Sequence, residues 1–350
     1  MTKLSKRLVL ISLPAIFWFA WQALLPPNQY TFRVWEALLT KPFHWDDPFY
    51  PNQTVKMDEV GDEAPYAPNS VIKSVTWHTD QDGYRNTLPE CAAPQTIVIG
   101  DSMVIGASLD ESQMLSSQLG AKTGRCVRSF AGGRLNRQVE RAYEAGMHPK
   151  NFVLVVAEYE VSAVEELDTF HSENQEDPAR LQRTRRFSAL KTTWARFRKN
   201  FYWNYRSAHG ALAAIRRSFQ SNDETRELLA PGKNPEMVLS HFGDGSENYS
   251  DAELDRFVQS VDRFAKELKK RRVNLVFSIV PHKEAVYLDP SQYHFGERFL
   301  AHTKNVDFAY IDLFEPMRAG YRKDQTRYHH GDDHHWNESG VSELVKRVSL

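Results

Sequence analysis

Ser102 closes the segment Ile97-Val98-Ile99-Gly100-Asp101-Ser102, an apolar strand-like run that ends in a turn. Glycine permits a sharp backbone there, and a serine at the carboxyl end of a strand meets backbone N–H groups able to stabilise an oxyanion. A serine hydroxyl is a weak nucleophile near neutral pH and needs an imidazole to take its proton. That imidazole needs a carboxylate to fix its tautomer and stabilise its charge. Asp333 and His335, within Gly331-Asp332-Asp333-His334-His335-Trp336-Asn337-Glu338-Ser339-Gly340, supply both groups in one loop. Two other readings compete. Asp101 and Ser102 could simply cap a helix. The crowd of His329, His330, Asp332, Asp333, His334 and His335 offers imidazole and oxygen ligands suited to zinc or manganese. The loop by itself leaves triad and metal site equally open.

Groups so far apart in sequence need a scaffold that brings them together. Short apolar runs at 96–99, 127–130, 152–156, 273–280 and 308–313 read as strands, and FVLVV is apolar throughout, as expected of a strand covered on both faces. Between them lie helical stretches at 111–122, 135–147 and 339–348. Another helix starts at the capping box Ser250-Asp251-Ala252-Glu253. Its stripe is Leu254, Phe257, Val258, Val261, Phe264, Ala265 and Leu268. This alternation predicts an α/β fold, a parallel sheet of five strands between helical layers in flavodoxin-like order, with ligands bound at the strands' carboxyl ends. Residues 162–248 break the pattern. They open acidic and turn basic and aromatic around Arg183, Arg185, Arg186, Trp194, Arg196, Arg198, Tyr202 and Trp203. This stretch reads as a helical insertion. It either packs its aromatics on the domain or meets anionic lipid heads or an acidic glycan.

In combination, GDSMVIG and DHHWNESG resemble the first and last blocks of the SGNH (GDSL-type) hydrolase superfamily. The nearer likeness is to the alginate O-acetyltransferase-like SGNH proteins, extracytoplasmic enzymes that acetylate exopolysaccharide. Asp333, His335, Trp336 and Gly340 match the final block of that group, and Pro281, Lys283 and Tyr287 in IVPHKEAVY match an inner segment. Gly83, Tyr84 and Arg85 in TDQDGYRN match the lead-in before GDS in bacterial envelope SGNH proteins. The likeness covers residues 76–160 and 273–345 in the right order. It implies Ser102 as nucleophile with His335 and Asp333, no metal and no cofactor. It further implies substrate-binding or orienting roles for Asp101, Arg85, Glu158, Lys283, Tyr287 and Trp336. The oxyanion donors would be the N–H groups of Ser102 and of Gly132 or Gly133. The sequence departs from ordinary SGNH hydrolases in one respect: the asparagine that serves them as an oxyanion donor after the third strand is missing. Ala157-Glu158-Tyr159-Glu160 stands there instead, and Glu158 agrees with the alginate-type group. A carboxylate would repel an oxyanion, so Glu158 is expected to orient another group such as Arg85, or to form a structural ion pair.

The rest of the chain sets the context. Lys3, Lys6 and Arg7 precede an apolar run over 8–25 that ends at Pro26-Pro27, long enough for a membrane helix with its N-terminus in the cytoplasm. An uncleaved anchor over 1–26 is expected, with a cleaved signal peptide as the alternative. A polar, proline-bearing stalk over 27–76 then leads to an acyl-transfer domain over 77–350. That places the domain in the periplasm, held at the inner membrane. Cys91 and Cys126 precede neighbouring strands and could be bridged in such an oxidising space, or remain two thiols. Forty-four Lys+Arg against 45 Asp+Glu leave a net charge of −1, without the basic excess that would mark a nucleic-acid partner. The expected function is O-acyl transfer, most simply O-acetyl transfer, to an envelope or secreted polysaccharide. The resemblance implies a membrane-embedded partner as acyl donor. An esterase on glycan or lipid esters, a catalytically silent glycan-binding protein and a metal hydrolase are the rivals.

Overall fold

The computed structural model describes residues 12–14, 16–17, 33–39, 48–63, 71–89, 91–170, 246–288 and 290–350. Its centre is a five-stranded parallel sheet built from β3 (Thr96–Gly100), β4 (Val127–Ser129), β5 (Asn151–Ala157), β6 (Asn274–Val280) and β7 (Ala309–Ile311). The spatial order β4-β3-β5-β6-β7 is the flavodoxin-like order expected from the sequence. Successive strand residues face opposite sides, so each all-apolar strand feeds two cores. Val98, Val153, Val155, Val276 and Val280 enter one cluster, and Ile97, Ile99, Phe152, Leu154, Phe277 and Ile279 enter the other.

Helices cover both faces. On the first face lie α2 (Ser102–Ile105), α3 (Leu115–Thr123), α8 (Phe314–Asp324) and α9 (Glu338–Arg347), supplying Val104, Leu115, Leu119, Met317, Val341 and Leu344. On the second lie α4 (Leu135–Glu144), α5 (Asp251–Lys270) and α7 (Phe295–His302). Ser250 and Glu253 make the expected capping box of α5, and every residue of its predicted stripe is buried. Lys269 and Lys270 in its last turn suit the negative end of the helix dipole.

The stretch expected as a stalk is different. Helix α1 (Val34–Leu38) and β1 (Thr54–Glu59) lie within 27–76, and β2 (Lys73–His78), the antiparallel partner of β1, begins there; all join the main body. Val34, Trp35, Leu38, Leu39, Phe49, Met57, Val75 and Trp77 all enter the first core cluster. Its prolines and polar residues masked short apolar runs whose partners lie elsewhere in the chain. Periodicity cannot reveal such partners.

Cys91 and Cys126 are bonded, with Cα atoms 5.8 Å apart, at the amino-terminal edge of β3 and β4, where Thr96 pairs with Val127. Of the expected insertion, 162–170 and 246–248 are described. Glu158–Thr169 is a 3-10 helix packed on α4 and α5, and residues 171–245 lie outside the described residues. Most of the expected anchor over 1–26 lies outside them as well. Among the described residues no helix is long and apolar enough to cross a membrane.

Candidate active site

Ser102 sits where β3 turns into α2, beside β5, where the strand order changes direction. Gly100 is required there by close approach: a Cβ on it would lie 1.9 Å from the Val155 carbonyl oxygen. Asp101 caps α2. One carboxylate oxygen accepts the Met103 N–H at 2.8 Å and the other accepts the Ala157 N–H, so the serine turn is pinned to the end of β5. Gln138 of α4 pins it from the other side. Its amide pairs with both the N–H and the carbonyl of Gly100, each at 2.8 Å, and donates to the Gly133 carbonyl at 2.8 Å.

The last loop arrives at the same place. His335 Nε2 is 2.9 Å from Ser102 Oγ, and His335 Nδ1 is 2.7 Å from Asp333 Oδ1. In the neutral tautomer that fits both contacts, Nδ1–H donates to Asp333 and Nε2 accepts the serine proton. Asp333 Oδ2 accepts the buried Ser108 hydroxyl at 2.6 Å, and Trp336 Nε1–H donates to the Met103 carbonyl at 2.9 Å. Trp336 is wholly buried and ties the acid–base loop to the nucleophile helix. Asp62, Asp333, His334 and His335 present ligand atoms within 4.8 Å of one another. Both ring nitrogens of His335 already face hydrogen-bond partners, so a metal there would have to displace Asp333 or Ser102. The geometry therefore favours the triad over the metal site.

Electrostatics follow from burial and this pairing. Burial opposes charge on His335, but Asp333, its hydrogen bond, Asp62 and Asp101 outweigh it and raise the imidazole to about 9. Burial likewise opposes the Asp333 charge, yet His335, its hydrogen bond, His334 and Ser108 hold that carboxyl well below its usual range. General-base catalysis needs the neutral imidazole. Activity should therefore rise with pH, with an acid limb in kcat/KM at about 9. Asp62→Asn removes one of the charges that raise His335, so a pH–rate series should show the limb moved to lower pH. An unmoved limb would count against His335 as the base.

The Asp101 charge also acts on Glu160. Burial chiefly raises Asp101 to about 6; burial and then the Asp101 charge raise Glu160 to about 8.

Other residues singled out by the sequence prove to be supports. Lys283 Nζ, fully buried, donates to Glu63 at 2.7 Å and to the Gly331 carbonyl at 3.2 Å. Tyr287 Oη accepts the N–H groups of Tyr328 (2.8 Å) and His329 (3.1 Å) and donates to His329 Nδ1 at 3.0 Å. The far nitrogen of His329 donates to the Pro281 carbonyl at 2.9 Å, and burial first lowers this imidazole to about 3, so it stays neutral. The inner segment and the last loop are thus laced together behind the triad. Neither Lys283 nor Tyr287 reaches Ser102 through these bonds.

Two expectations need correction. Arg85 does not meet Glu158: its guanidinium donates to the carbonyls of Thr76, Ile105, Gly106 and Leu109 and lies 4.0 Å over the Trp77 ring. Glu158 instead accepts the Ser246 hydroxyl and the His282 N–H at 2.8 Å, with no ion pair among the described residues, and burial first raises it to about 7. It clips together the segments leading into α5 and out of β6. Of the two glycines, Gly132 already donates its N–H to the Gly100 carbonyl at 3.3 Å. Among the described residues no hydrogen bond from the Gly133 N–H is seen.

Sequence reading missed several contributors. Ser108, at φ +61°, gave no signal, because its role depends on Asp333 lying 225 residues away. Asp332 takes the Gly61 N–H at 3.1 Å and Lys73 Nζ at 3.0 Å, strapping the β1–β2 unit across the last loop. A Cβ on Gly61 would lie 1.9 Å from the Asp332 carbonyl oxygen. Tyr159 lies beside the last loop, its ring edge-on to that of His334 with centroids 5.8 Å apart. Ser108→Ala should leave Asp333 half-satisfied and cut kcat by roughly tenfold or more, with KM little changed, in line with the loss of one hydrogen bond to a charged group. Steady-state kinetics would read this directly, and a change confined to KM would contradict it.

No protein-family model matches this chain, and neither does any curated protein. Among solved structures the chain is similar to an acetyl xylan esterase (Est2A) from the rumen bacterium Butyrivibrio proteoclasticus. The likeness spans 79% of this chain and 67% of that one, at 11% identity and a TM-score of 0.32. At that level it decides neither fold nor function; both rest on the sheet order and the geometry of the site.

Proposed function

We propose that this chain is an extracytoplasmic SGNH-type O-acyltransferase, in its simplest form an O-acetyltransferase acting on a cell-envelope or secreted polysaccharide. The observation that carries the reading is the chain of bonds from Ser102 through His335 to Asp333 at the carboxyl end of β3, at 2.9 and 2.7 Å. His335 takes the Ser102 proton as Oγ attacks the donor's acyl carbon, and returns it to the leaving group as the donor bond breaks. A sugar hydroxyl then attacks the acyl-serine. His335 accepts its proton, the new ester forms, and the Ser102–acyl bond breaks with the proton restored to Oγ.

The absence of the usual asparagine, with Glu158 in its neighbourhood, supports the alginate-type subgroup over a general esterase. The basic residues before the apolar run at 8–25 support an anchor at the inner membrane with the catalytic domain in the periplasm. A membrane-embedded partner would then supply the acyl group. In the esterase reading the same triad delivers the acyl group to water.

The test uses the full-length chain in detergent with an acetyl ester donor, with and without oligosaccharides. Formation of acetylated sugar that requires Ser102 supports transfer, and release of acetate unaffected by sugar supports the esterase. Activity that survives Ser102→Ala but disappears with a chelator would overturn the triad. Extraction of the chain from membranes without detergent would overturn the anchor.

A further inference from the structure

Asp62, Asp333, His334 and His335 each present a ligand atom, and the four atoms lie within 4.8 Å of one another. The triad uses two of these groups and leaves Asp62 and His334 to be explained. His334 Nδ1 stands 3.6 Å from Asp333 Oδ1 and 3.8 Å from Asp62 Oδ2, and Asp333 Oδ1 is 2.7 Å from His335 Nδ1. The two imidazoles lie against each other, with centroids 4.0 Å apart and 35° between planes. Ligands held at about 2.0–2.2 Å around a tetrahedral zinc ion stand about 3.3–3.6 Å from one another. The two His334 distances are already near that range, and the His335–Asp333 pair would open by about 0.6–0.9 Å. Two carboxylates balance the charge of a divalent ion, and mixed imidazole and oxygen ligands suit zinc better than magnesium or calcium.

Outer contacts hold both acids. Asp333 Oδ2 accepts the Ser108 hydroxyl at 2.6 Å, and Arg33 Nε pairs with Asp62 Oδ1 at 2.5 Å. Each acid thus has one oxygen engaged and the other toward His334, as in metal sites whose carboxylate ligands are themselves held by outer partners. Asp333 and His335 are buried, while the His334 and Asp62 side chains keep 11% and 18% of their surface, so an ion can enter from their side.

The consequence for catalysis follows from the tautomer. General-base action needs Nδ1–H of His335 on Asp333 and a lone pair on Nε2 facing Ser102. A metal bond takes the lone pair of Nδ1, so the ring's one proton must sit on Nε2. Nε2–H then faces Ser102 Oγ, 2.9 Å away, and cannot accept the serine proton. Starting from the imidazolium, one proton passes to solvent and the same tautomer results. The one protein bond lost is the His335–Asp333 hydrogen bond, and metal contacts to both atoms replace it.

We infer that Asp62, Asp333, His334 and His335 form an inhibitory zinc site, in which the ion locks the catalytic imidazole in the wrong tautomer. The ion is an inhibitor of the triad and not its catalyst. The effect on rate rests on the acyl-transfer reading above; the site itself stands on the four ligands.

The experiment titrates zinc chloride into the full-length chain in detergent, reading acetyl release from an acetyl ester and zinc binding by calorimetry. Saturating zinc should lower kcat by about 10²-fold or more, since a wrong tautomer in such a triad costs about 10⁴. A chelator should restore the rate, and magnesium chloride should leave it unchanged. His334→Gln, measured against its own zinc-free rate, should need about 100-fold more zinc for half-inhibition, because even an outer partner contributes about 10–100-fold to metal affinity. Ser102→Ala should bind zinc as the parent does, since Ser102 is not a ligand. An active parent that zinc does not inhibit, or one half-inhibited at the same zinc concentration as His334→Gln, overturns the inference and leaves the triad intact. If His334→Gln melts early, Asp62→Asn takes its place with the same two outcomes. A parent without acyl-ester activity overturns the triad reading alone when calorimetry finds a bound zinc that His334→Gln loses. Without that bound zinc, both fall.

Discussion

Ser102→Ala should lower kcat by at least about 10⁴-fold without unfolding the protein, leaving only what binding and oxyanion donors achieve on their own. The side chain makes its bond with His335 in a half-buried position, and the fold does not lean on it. Asp101, not Ser102, caps α2 and pins β5. Melting should therefore move little. His335→Ala should cost as much as Ser102→Ala, and the double substitution no more than either, because the two groups act as one unit. Independent, multiplying losses would mean that Ser102 and His335 do not share a step. Single-turnover assays with an acetyl ester measure all three variants on one scale.

Arg85→Met should show the opposite profile: a stability loss of about 3 kcal/mol or more, read from denaturant midpoints, with kcat of the folded fraction falling far less than in Ser102→Ala. A charged donor lost from buried acceptors costs about this much. Arg85 is almost wholly buried and serves carbonyls at the carboxyl end of α2 and in the following turn, where a cation also meets the negative end of the helix. Its guanidinium over Trp77 holds β2 against that turn. A substrate-orienting arginine would instead raise KM and leave the melting midpoint near the parent, so the two measurements separate the roles cleanly.

The same contrast runs through the lead-in that the resemblance singled out. Asp80 accepts the N–H groups of Asp82 and Tyr84 on one oxygen and meets Asn86 and Arg128 on the other. Asn86 then pairs with both the N–H and the carbonyl of Ser129 at the edge strand β4. TDQDGYRN is thus a folding device that ties the β1–β2 unit to the sheet edge beside the serine turn. Its spacing was visible in the sequence, but its purpose was not.

What the sequence alone determined was local or periodic. Short, largely apolar runs marked the strands, the Ser250 capping box and its stripe marked α5, and the glycine-aspartate-serine turn and Asp-x-His loop marked the chemistry. Each of these depends on neighbours within a few residues, which pattern can encode. The tertiary structure decided which groups meet. It set His335 between Asp333 and Ser102, partners two and 233 residues away. It moved Arg85 from Glu158 to the end of α2 and drew 33–39, 48–63 and 71–76 into the core instead of a stalk. Such choices are made by satisfying buried donors and acceptors across the whole fold, and no spacing along the chain records them.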